Sequence, residues 1–324
     1  MNKKKIAITG GSGFLAKYLF LNLKKNYDII LITRNQASKT LLEKNYPQAT
    51  TKIINWDSLK QIKECLAEAD ILIHSAAMLP TRASANNNKI IKSSLLIARK
   101  ICKANLTLEK FIFISTLRTC INTEKLVFED DTKYNFKNYD TSYGLSKYIT
   151  EKYFLKFANK LPLIICSPTH IIGPEKTNFS KSNDILINFL SKKIVFYTDT
   201  KYAIIDVNDV CHAIEKIIEK SDINNKYLLS ANNPSLKELI NYAEKITNQK
   251  KIKIYIPLFF LNIISLFFDI VNKVFKLKTI PVNRSSYFFA KLNKDFYGKK
   301  ITYYKLKFKN SYQILEGLNK FIKN

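Results

Sequence analysis

The stretch that decides the fold is KIAITGGSGFLA, residues 5–16. A short β-branched run ends in a cluster of glycines, and an apolar segment typical of a helix follows at once. Gly11, Gly13 and Ala16 match the spacing GxGxxA, while Gly10, Gly13 and Ala16 match GxxGxxA. Such glycines allow a tight turn and a close backbone approach to a pyrophosphate, which the N–H groups at the start of the helix would bind. We expect phosphate-loop contacts from Gly10, Gly11, Ser12, Gly13, Phe14 and Leu15.

Short apolar runs alternate with helical stretches through the first two thirds of the chain. The predicted strands are Lys5–Thr9, Asp28–Thr33, Lys52–Asn55, Ile71–His74, Phe111–Ser115 and Leu163–Cys166. The predicted helices between them include Phe14–Lys25, Ser58–Ala69, Asn87–Ala104 and Ser142–Asn159. Unbroken β-branched strands are typical of a parallel sheet covered on both faces, so the alternation predicts a doubly wound α/β fold.

The regular order loosens after Pro168, which predicts two domains. We expect a dinucleotide-binding domain over residues 1–166 and a smaller, mainly substrate-binding domain over residues 167–324. Residues of about 200–232 should return to the first domain. The most apolar stretch, residues 256–275, is interrupted by polar residues and predicts a packed helix of the smaller domain. A helix lying on a membrane surface is the alternative.

The composition excludes several classes of protein. The chain has 324 residues, of which 46% are hydrophobic, so disordered and low-complexity classes do not apply. Five cysteines lie scattered without a CxxC pair, and only three histidines are present, so we expect no metal site. The odd number of cysteines and the short N-terminal apolar run predict a cytoplasmic protein without a signal peptide.

The chain is strongly basic, with 53 Lys and Arg against 26 Asp and Glu and a net charge of +27. About half of the excess lies in residues 241–324, which hold 17 Lys and Arg and 4 Asp and Glu. Charge of this kind attracts phosphates, nucleic acid or anionic lipid, but a lysine-rich composition also gives an ordinary solvated surface. We predict no nucleic-acid partner and at most a weak contact with a membrane surface.

The residue after the second strand bears on the choice of cofactor. A carboxylate there would bind the ribose hydroxyls of adenosine and repel a 2′-phosphate. The chain instead has Arg34, with Lys39 nearby, and a guanidinium suits a phosphate. NADP is therefore favoured over NAD; NAD beside an ordinary exposed arginine is the alternative.

A YxxxK motif, from Tyr143 to Lys147, opens a predicted helix. The spacing places both side chains on one helix face. A tyrosine is a weak acid or base at neutral pH, but a nearby ammonium favours the phenolate and lowers its pKa. The motif is common by chance in a lysine-rich chain. Its position downstream of the glycine loop and of the strand FIFIST (111–116) is therefore the evidence for a catalytic role.

Six segments, in this order, resemble the extended short-chain dehydrogenase/reductase family, the NAD-dependent epimerase/dehydratase group. They are TGGSGFLA (9–16), DILIHSAA (70–77), FIFIST (111–116), YGLSK (143–147), SPTHIIGP (167–174) and YAIIDVNDVCHAI (202–214). Together they are spread over about two thirds of the chain, and the C-terminal segment KFKNSYQILEGLNKFI (307–322) is also similar to the family's closing segment. The resemblance implies a Rossmann domain and a nicotinamide cofactor.

The resemblance also implies roles for individual residues. Tyr143 would be the catalytic acid or base, with Lys147 as its partner. Thr116 would bind the reacting oxygen, with Ser115 as the fallback. Contacts with the cofactor are implied for Asp57 at the adenine, for Ala76 and Ala77 along its length, and for Pro168 and His170 near the nicotinamide.

Departures from the family pattern reduce the number of reactions that we expect of the protein. Leu117 and Arg118 follow Thr116, where family 4,6-dehydratases place an acidic pair, so that reaction is disfavoured. Ser167 stands where many members carry an arginine. Cys120 is interpreted as a residue that lines the pocket.

These observations predict an oxidoreductase or epimerase. We expect hydride transfer at a secondary hydroxyl or keto group of a nucleotide-linked sugar, of the 4-epimerase or 4-keto reductase type. One alternative is an NADP-dependent reductase of an apolar alcohol, similar to hydroxysteroid or dihydroflavonol reductases. Another is a non-catalytic cofactor-binding sensor, which would have no need of the Thr116, Tyr143 and Lys147 set. The resemblance further implies a homodimer built on the helices of residues 87–104 and 142–159.

Overall fold

Seven parallel strands form the central sheet of the protein. In chain order they are β1 (Lys5–Thr9), β2 (Asp28–Thr33), β3 (Thr50–Ile53), β4 (Ile71–His74), β5 (Lys110–Ile114), β7 (Leu163–Pro168) and β11 (Asn225–Leu229). Across the sheet their order is β11-β7-β5-β4-β1-β2-β3. The computed structural model describes residues 3–77, 88–120, 124–130, 142–175, 183–275, 282 and 284–323.

Helices cover both faces of this sheet. In chain order the helices of the described residues are α1 (Phe14–Leu23), α2 (Gln36–Asn45), α3 (Leu59–Leu66), α4 (Asn88–Ala104), α5 (Ser142–Leu155), α6 (Asp184–Ser191), α7 (Val207–Lys220), α8 (Leu236–Thr247), α9 (Leu258–Phe275), α10 (Arg284–Leu292) and α11 (Ser311–Lys323). Ile6 and Ile8 of β1 belong to a buried cluster with α1, α2 and α7, while Ala7 belongs to one with α3, α4 and α5. The predicted doubly wound α/β fold is confirmed.

The strand order reverses beside β1, and this reversal positions the site. The chain runs from β1 to β2 and β3 on one side and returns to β4 on the other side. Loops that leave β1 and β4 therefore diverge at the carboxyl ends of the strands. A crevice at such a point is where open α/β sheets bind their ligands.

The remaining strands pair two by two outside the central sheet. They are β6 (Leu126–Val127), β8 (His170–Ile172), β9 (Ile194–Tyr197), β10 (Ile204–Asp206), β12 (Ile252–Tyr255) and β13 (Asp295–Phe296). The pairs are β8 with β10, β9 with β12, and β6 with β13, all parallel. A separate buried cluster joins α6, α8 and α11 near them. The division into domains at residue 166 stays a prediction.

The predicted elements differ from the observed ones mainly at their ends. The third strand is 50–53 instead of 52–55, and α5 ends at Leu155, four residues before its predicted end. Asn87, the predicted start of α4, lies outside the described residues. Of the segment expected to return to the sheet, residues 225–229 pair with β7, whereas residues 204–206 pair with β8 in a separate ladder. The helix α2 was not predicted, because Leu42 is its only buried residue and its apolar pattern is correspondingly weak.

A buried ion pair joins α5 to the last strand of the sheet. Lys226 Nζ of β11 lies 2.5 Å from Glu151 Oε1 of α5, and both side chains are almost fully buried. The second carboxylate oxygen of Glu151 accepts a hydrogen bond of 2.9 Å from the Ser115 hydroxyl at the end of β5. Burial opposes the charge of Lys226, but Cys120 and Glu151 raise the pKa of Lys226 above its ordinary value. One charged pair thus connects three elements that end at the crevice.

We expect this pair to behave as a coupled unit in unfolding experiments. Glu151→Leu and Lys226→Met should each lower the free energy of unfolding by about 3–5 kcal/mol, because each leaves one buried charge unpaired. The double variant removes both charges and should recover most of that loss. Urea denaturation measures the three values. Glu64→Ala, which breaks the exposed Lys60–Glu64 pair, is the control and should change stability very little. Strictly additive losses in the double variant would contradict this coupling.

Candidate active site

A cleft of about 1640 Å³ lies over the carboxyl ends of the central strands. The segments that follow β1, β2, β4, β5 and β7 all contribute to its wall. Its other wall comes from α6, β9, α9 and α10. Within the described ranges, no three His, Cys, Asp or Glu side chains cluster as a metal site would require.

The glycine loop forms one end of this cleft. Gly10 has a φ of +73°, and a Cβ there would lie 2.9 Å from the Cα of Ala76, so only glycine fits without strain. The loop closes through a 2.8 Å hydrogen bond from Gly13 N to Gly10 O. No side chain caps the start of α1, so its N–H groups are oriented toward the cleft end and suit a phosphate.

Five of the six predicted loop residues line the cleft, and one does not. The lining residues are Gly10, Ser12, Gly13, Phe14 and Leu15. Gly11 lies behind them, where its N–H donates to Ile32 O at 2.9 Å and a Cβ would crowd the backbone of β2. Gly11 is therefore needed for the packing of the loop, because the absence of a side chain lets the loop lie flat against β2.

The two residues expected at the adenosine end differ in position. Arg34 follows β2 and lines the cleft. Asp57 is exposed and is not part of the cleft wall, its N–H donates to Asn55 Oδ1 at 3.0 Å, and its contact with the adenine stays a prediction. The cleft wall at this point is Trp56, which is buried and packs edge-to-face with His74 at 6.0 Å. His74 itself is buried and bonds to Thr9 Oγ1 at 2.8 Å.

Thr116, Tyr143 and Lys147 all line the middle of the cleft. Lys147 Nζ donates to the carbonyl of Ile114 at 2.6 Å and lies 4.8 Å from the centroid of the Phe113 ring. Burial lowers the pKa of Lys147 to about 7, against the opposing charge of Glu151. A lysine with this pKa exchanges its proton readily at neutral pH.

The tyrosine does not have the lowered pKa that the motif suggested. Burial raises the pKa of Tyr143 to about 12, and the cation that acts in the opposite direction is Arg118. Lys147 contributes little to the phenol because its ammonium is directed to Ile114 O at the end of β5. Tyr143 therefore holds its proton at neutral pH, as a proton donor must.

Ser115 also lines the cleft, but its hydroxyl belongs to a buried hydrogen-bond network. Besides the bond to Glu151, its hydroxyl lies 3.1 Å from Thr119 Oγ1, and Lys226 Nζ donates to Thr119 O at 3.1 Å. Glu151 and Lys226 were missed in the sequence. Glu151 continues the four-residue spacing of Tyr143 and Lys147 and could have been found, but Lys226 is an isolated lysine 75 residues further on.

The segment after β4 and the end of β7 with the residues after it complete the middle of the cleft. Ala76, Ala77 and Pro168 line it together with His170. His170 Nδ1 lies 2.8 Å from the carbonyl of Ala203, and its ring stacks on Tyr202 at 4.3 Å. Burial lowers the pKa of His170 to about 4, so the ring is neutral and its Nδ1 donates to that carbonyl.

Cys120 does not line the cleft, contrary to the expectation. The turn at Leu117–Thr119 directs Cys120 inward, with its N–H on Leu117 O at 3.0 Å. Its side chain is fully buried among Val127, Leu228 and Phe296. The part of the cleft farthest from the glycine loop is instead apolar, with Phe189, Phe196, Leu261, Phe268 and Phe289 in its wall.

The residues present fit a nicotinamide dinucleotide. The cradle at Gly10 excludes any side chain, the first turn of α1 is uncapped, and the cleft continues from there to Tyr143 and Lys147. Pyrophosphate, adenosine and nicotinamide would thus lie along the carboxyl edge of the sheet.

Comparisons with known proteins agree with this geometry. A dTDP-D-glucose 4,6-dehydratase of Dictyostelium discoideum is 28% identical over 261 residues, which cover 69% of this chain and 57% of that protein. A dihydroflavonol 4-reductase of Hordeum vulgare is 23% identical, covering 72% of this chain and 73% of its own. The chain therefore spans little more than half the length of the first of these relatives.

The solved structures show the same fold. The UDP-glucuronic acid 4-epimerase of Bacillus cereus, in complex with UDP-glucuronic acid and NAD, superimposes with a TM-score of 0.74 at 18% identity, over 98% of this chain and 99% of that one. The profile of the NAD-dependent epimerase/dehydratase family matches residues 6–229. The chain therefore belongs to the NAD-dependent epimerase/dehydratase family and is an NAD(P)-dependent enzyme of the extended short-chain dehydrogenase/reductase type.

Proposed function

We propose that the protein reduces, oxidises or epimerises a secondary hydroxyl or keto carbon of a nucleotide-linked sugar. The observation that carries this proposal is the convergence of the glycine loop, Thr116, Tyr143 and Lys147 on one cleft. The named activities of two similar proteins, a nucleotide-sugar dehydratase and a nucleotide-sugar epimerase, support the substrate class.

The proton chemistry follows from the surroundings of Tyr143. With a pKa of about 12, Tyr143 is the proton donor to a keto oxygen that Thr116 also binds. The neighbouring Arg118 stabilises the phenolate that remains. A nicotinamide cofactor, when bound, supplies or accepts the hydride. Because the resting tyrosine is protonated, keto reduction is the direction that the free site favours.

Dehydration of the 4,6 type remains disfavoured, although one relative carries that name. Leu117, which follows Thr116, is buried, and the next residue on the cleft wall is the cation Arg118. A carboxylic acid at this point would be needed to protonate a leaving hydroxyl. The reductase and epimerase activities need no such group.

A reductase of an apolar alcohol is the second candidate. It is favoured by the phenylalanines that line the far part of the cleft, Phe189, Phe196, Phe268 and Phe289. The similar protein of Hordeum vulgare is a dihydroflavonol 4-reductase. Mass spectrometry of compounds released from the denatured protein separates a nucleotide sugar from an apolar alcohol.

We further propose NADP as the preferred cofactor, with a cytoplasmic homodimer as the working form. Arg34 borders the cleft where the adenosine 2′ position would lie, and the carboxylate of Asp57 is outside it. The five free cysteines are in keeping with a reducing compartment. The helices α4 and α5 pack on each other and leave Leu96 and Leu155 exposed for a partner subunit.

Tyr143→Phe should lower turnover by about 10²–10⁴-fold while cofactor affinity stays nearly unchanged, because only the proton-carrying oxygen is lost. Turnover is measured as NADPH consumption with a panel of keto-sugar nucleotides and aromatic ketones, and affinity by calorimetry. Tyr148→Phe, on the same helix, is the matched control and should retain activity. Full activity in Tyr143→Phe would refute the assigned role.

Arg34→Ala should remove a preference of the wild type for NADPH over NADH. A charge-assisted contact contributes about 1.5–3 kcal/mol, so the affinity ratio should fall about 10–100-fold. Calorimetric titration with both cofactors measures this ratio. The control Lys44→Ala, at an exposed position of α2, should leave the ratio unchanged. Equal affinities in the wild type would show that Arg34 does not contact the 2′ position.

Lys147→Met should change the pH dependence of stability. The folded pKa of Lys147, about 7, is below its ordinary value of 10.5, so the unfolded chain binds more protons between these values. Wild-type stability should therefore rise with pH across that window, and the rise should be smaller in Lys147→Met. Urea denaturation at pH 6, 8 and 10 measures it, with the exposed Lys152→Met as control. Identical slopes in the wild type and Lys147→Met would contradict the lowered pKa.

A further inference from the structure

The helix α9 presents an outward face made of large apolar side chains. Successive residues turn by about 100°, so seven of them fall within an arc of about 120°. They are Phe259, Phe260, Ile263, Leu266, Phe267, Ile270 and Val274, and each is 45–68% exposed. Among the side chains of α9 that the structure describes, none in this arc is polar. Contiguous exposed apolar area of this kind marks an interaction surface.

Two polar side chains of α9, Asn262 and Ser265, face α10 instead. Ser265 is fully buried, and Arg284 of α10 donates hydrogen bonds to Asn262 Oδ1 and, at 3.4 Å, to Ser265 Oγ. A helix on a water-facing surface has the opposite arrangement. The amphipathic order of α9 is therefore that of a helix whose outer face contacts an apolar medium.

The two-stranded sheet that precedes α9 in the chain also carries exposed apolar side chains. In the parallel register of β9 and β12, Ile194 pairs with Ile252 and Phe196 with Ile254, so the four side chains share one side. Their exposed fractions are 39–59%. Ile194 and Phe196 also line the cleft, so we define the outer apolar surface as the seven residues of α9 alone.

The chain segments that lead to α9 and to its neighbouring strands are basic. Lys192 and Lys193 precede β9, Lys250 precedes β12, and all three are exposed. Residues 241–324 hold 17 Lys and Arg and 4 Asp and Glu, and Glu244 pairs with Lys253 at 2.6 Å. Anionic headgroups attract such lysines by about 1 kcal/mol each. Two copies of the chain would instead bring two regions of the same strong positive charge together.

We propose that the outer apolar surface docks the protein on an anionic membrane, with α9 lying in the plane of the interface. The helix is about 27 Å long at 1.5 Å per residue, and its outer side chains would enter the boundary between headgroups and acyl chains. Its inner side chains Leu261 and Phe268 stay on the wall of the cleft. In the part of the chain that the structure describes, no helix is long and apolar enough to cross a bilayer.

Co-sedimentation with vesicles of phosphatidylglycerol and phosphatidylcholine tests this docking. The wild type should bind, and the variant Phe260→Gln/Phe267→Gln/Ile270→Gln should bind at least 10-fold more weakly. The matched control Leu21→Gln/Ile223→Gln/Tyr303→Gln changes three exposed side chains elsewhere and should bind like the wild type. High salt should weaken binding of the wild type without abolishing it, because the apolar part is not screened.

A fluorescence measurement separates insertion of α9 from general adsorption of a basic protein. Phe267→Trp should show a blue shift on vesicle binding and quenching by lipids brominated on the acyl chains, and Ile223→Trp should show neither. Equal binding of the two triple variants, or an unquenched Trp at position 267, would overturn the proposal. So would light scattering that shows a wild-type dimer and a monomer for the α9 triple variant, because a second copy would then cover the surface. None of these measurements needs substrate or cofactor, so they stand apart from the proposed function.

Discussion

The buried pair of Glu151 and Lys226 is the interaction on which the geometry of the site depends. It connects the helix that carries Tyr143 and Lys147 to the last strand of the sheet, and through Ser115 it reaches the strand end that carries Thr116. Breaking either half would leave a charge in the interior, so these elements keep one arrangement. The same carboxylate limits the fall of the Lys147 pKa, so the pair also affects the charge of the proposed partner of Tyr143.

Local patterns predicted the parts of the molecule that depend on local physics. The strands of the central sheet and the glycine loop were predicted because each of their signals lies within a short continuous stretch of sequence. These signals are an apolar run, the spacing of glycines and the start of a helix. Arg34 was located because it directly follows the second strand, whereas Thr116 was supplied by the resemblance to a family. The resemblance to a family then supplied the roles, which remain proposals.

Contacts between distant residues account for what the sequence did not show. Lys226 meets Glu151 across 75 positions, and nothing near either residue indicates the other. The orientation of Lys147 toward Ile114 O, which leaves Tyr143 with a raised pKa, depends on the packing of α5 on β5. Cys120 was misplaced because the turn at Leu117–Thr119 directs it into the interior, away from the cleft.

The helix α9 forms a wall of the cleft with Leu261 and Phe268 and presents its opposite side outward. Two ligands that act on one rigid element are thermodynamically linked, and the linkage is reciprocal. A molecule in the cleft that shifts α9 must change the affinity of its outer side for whatever contacts it, and that contact must change the affinity of the cleft by the same factor. If the proposed docking holds, α9 is the element through which occupancy of the cleft and attachment to a membrane would be coupled.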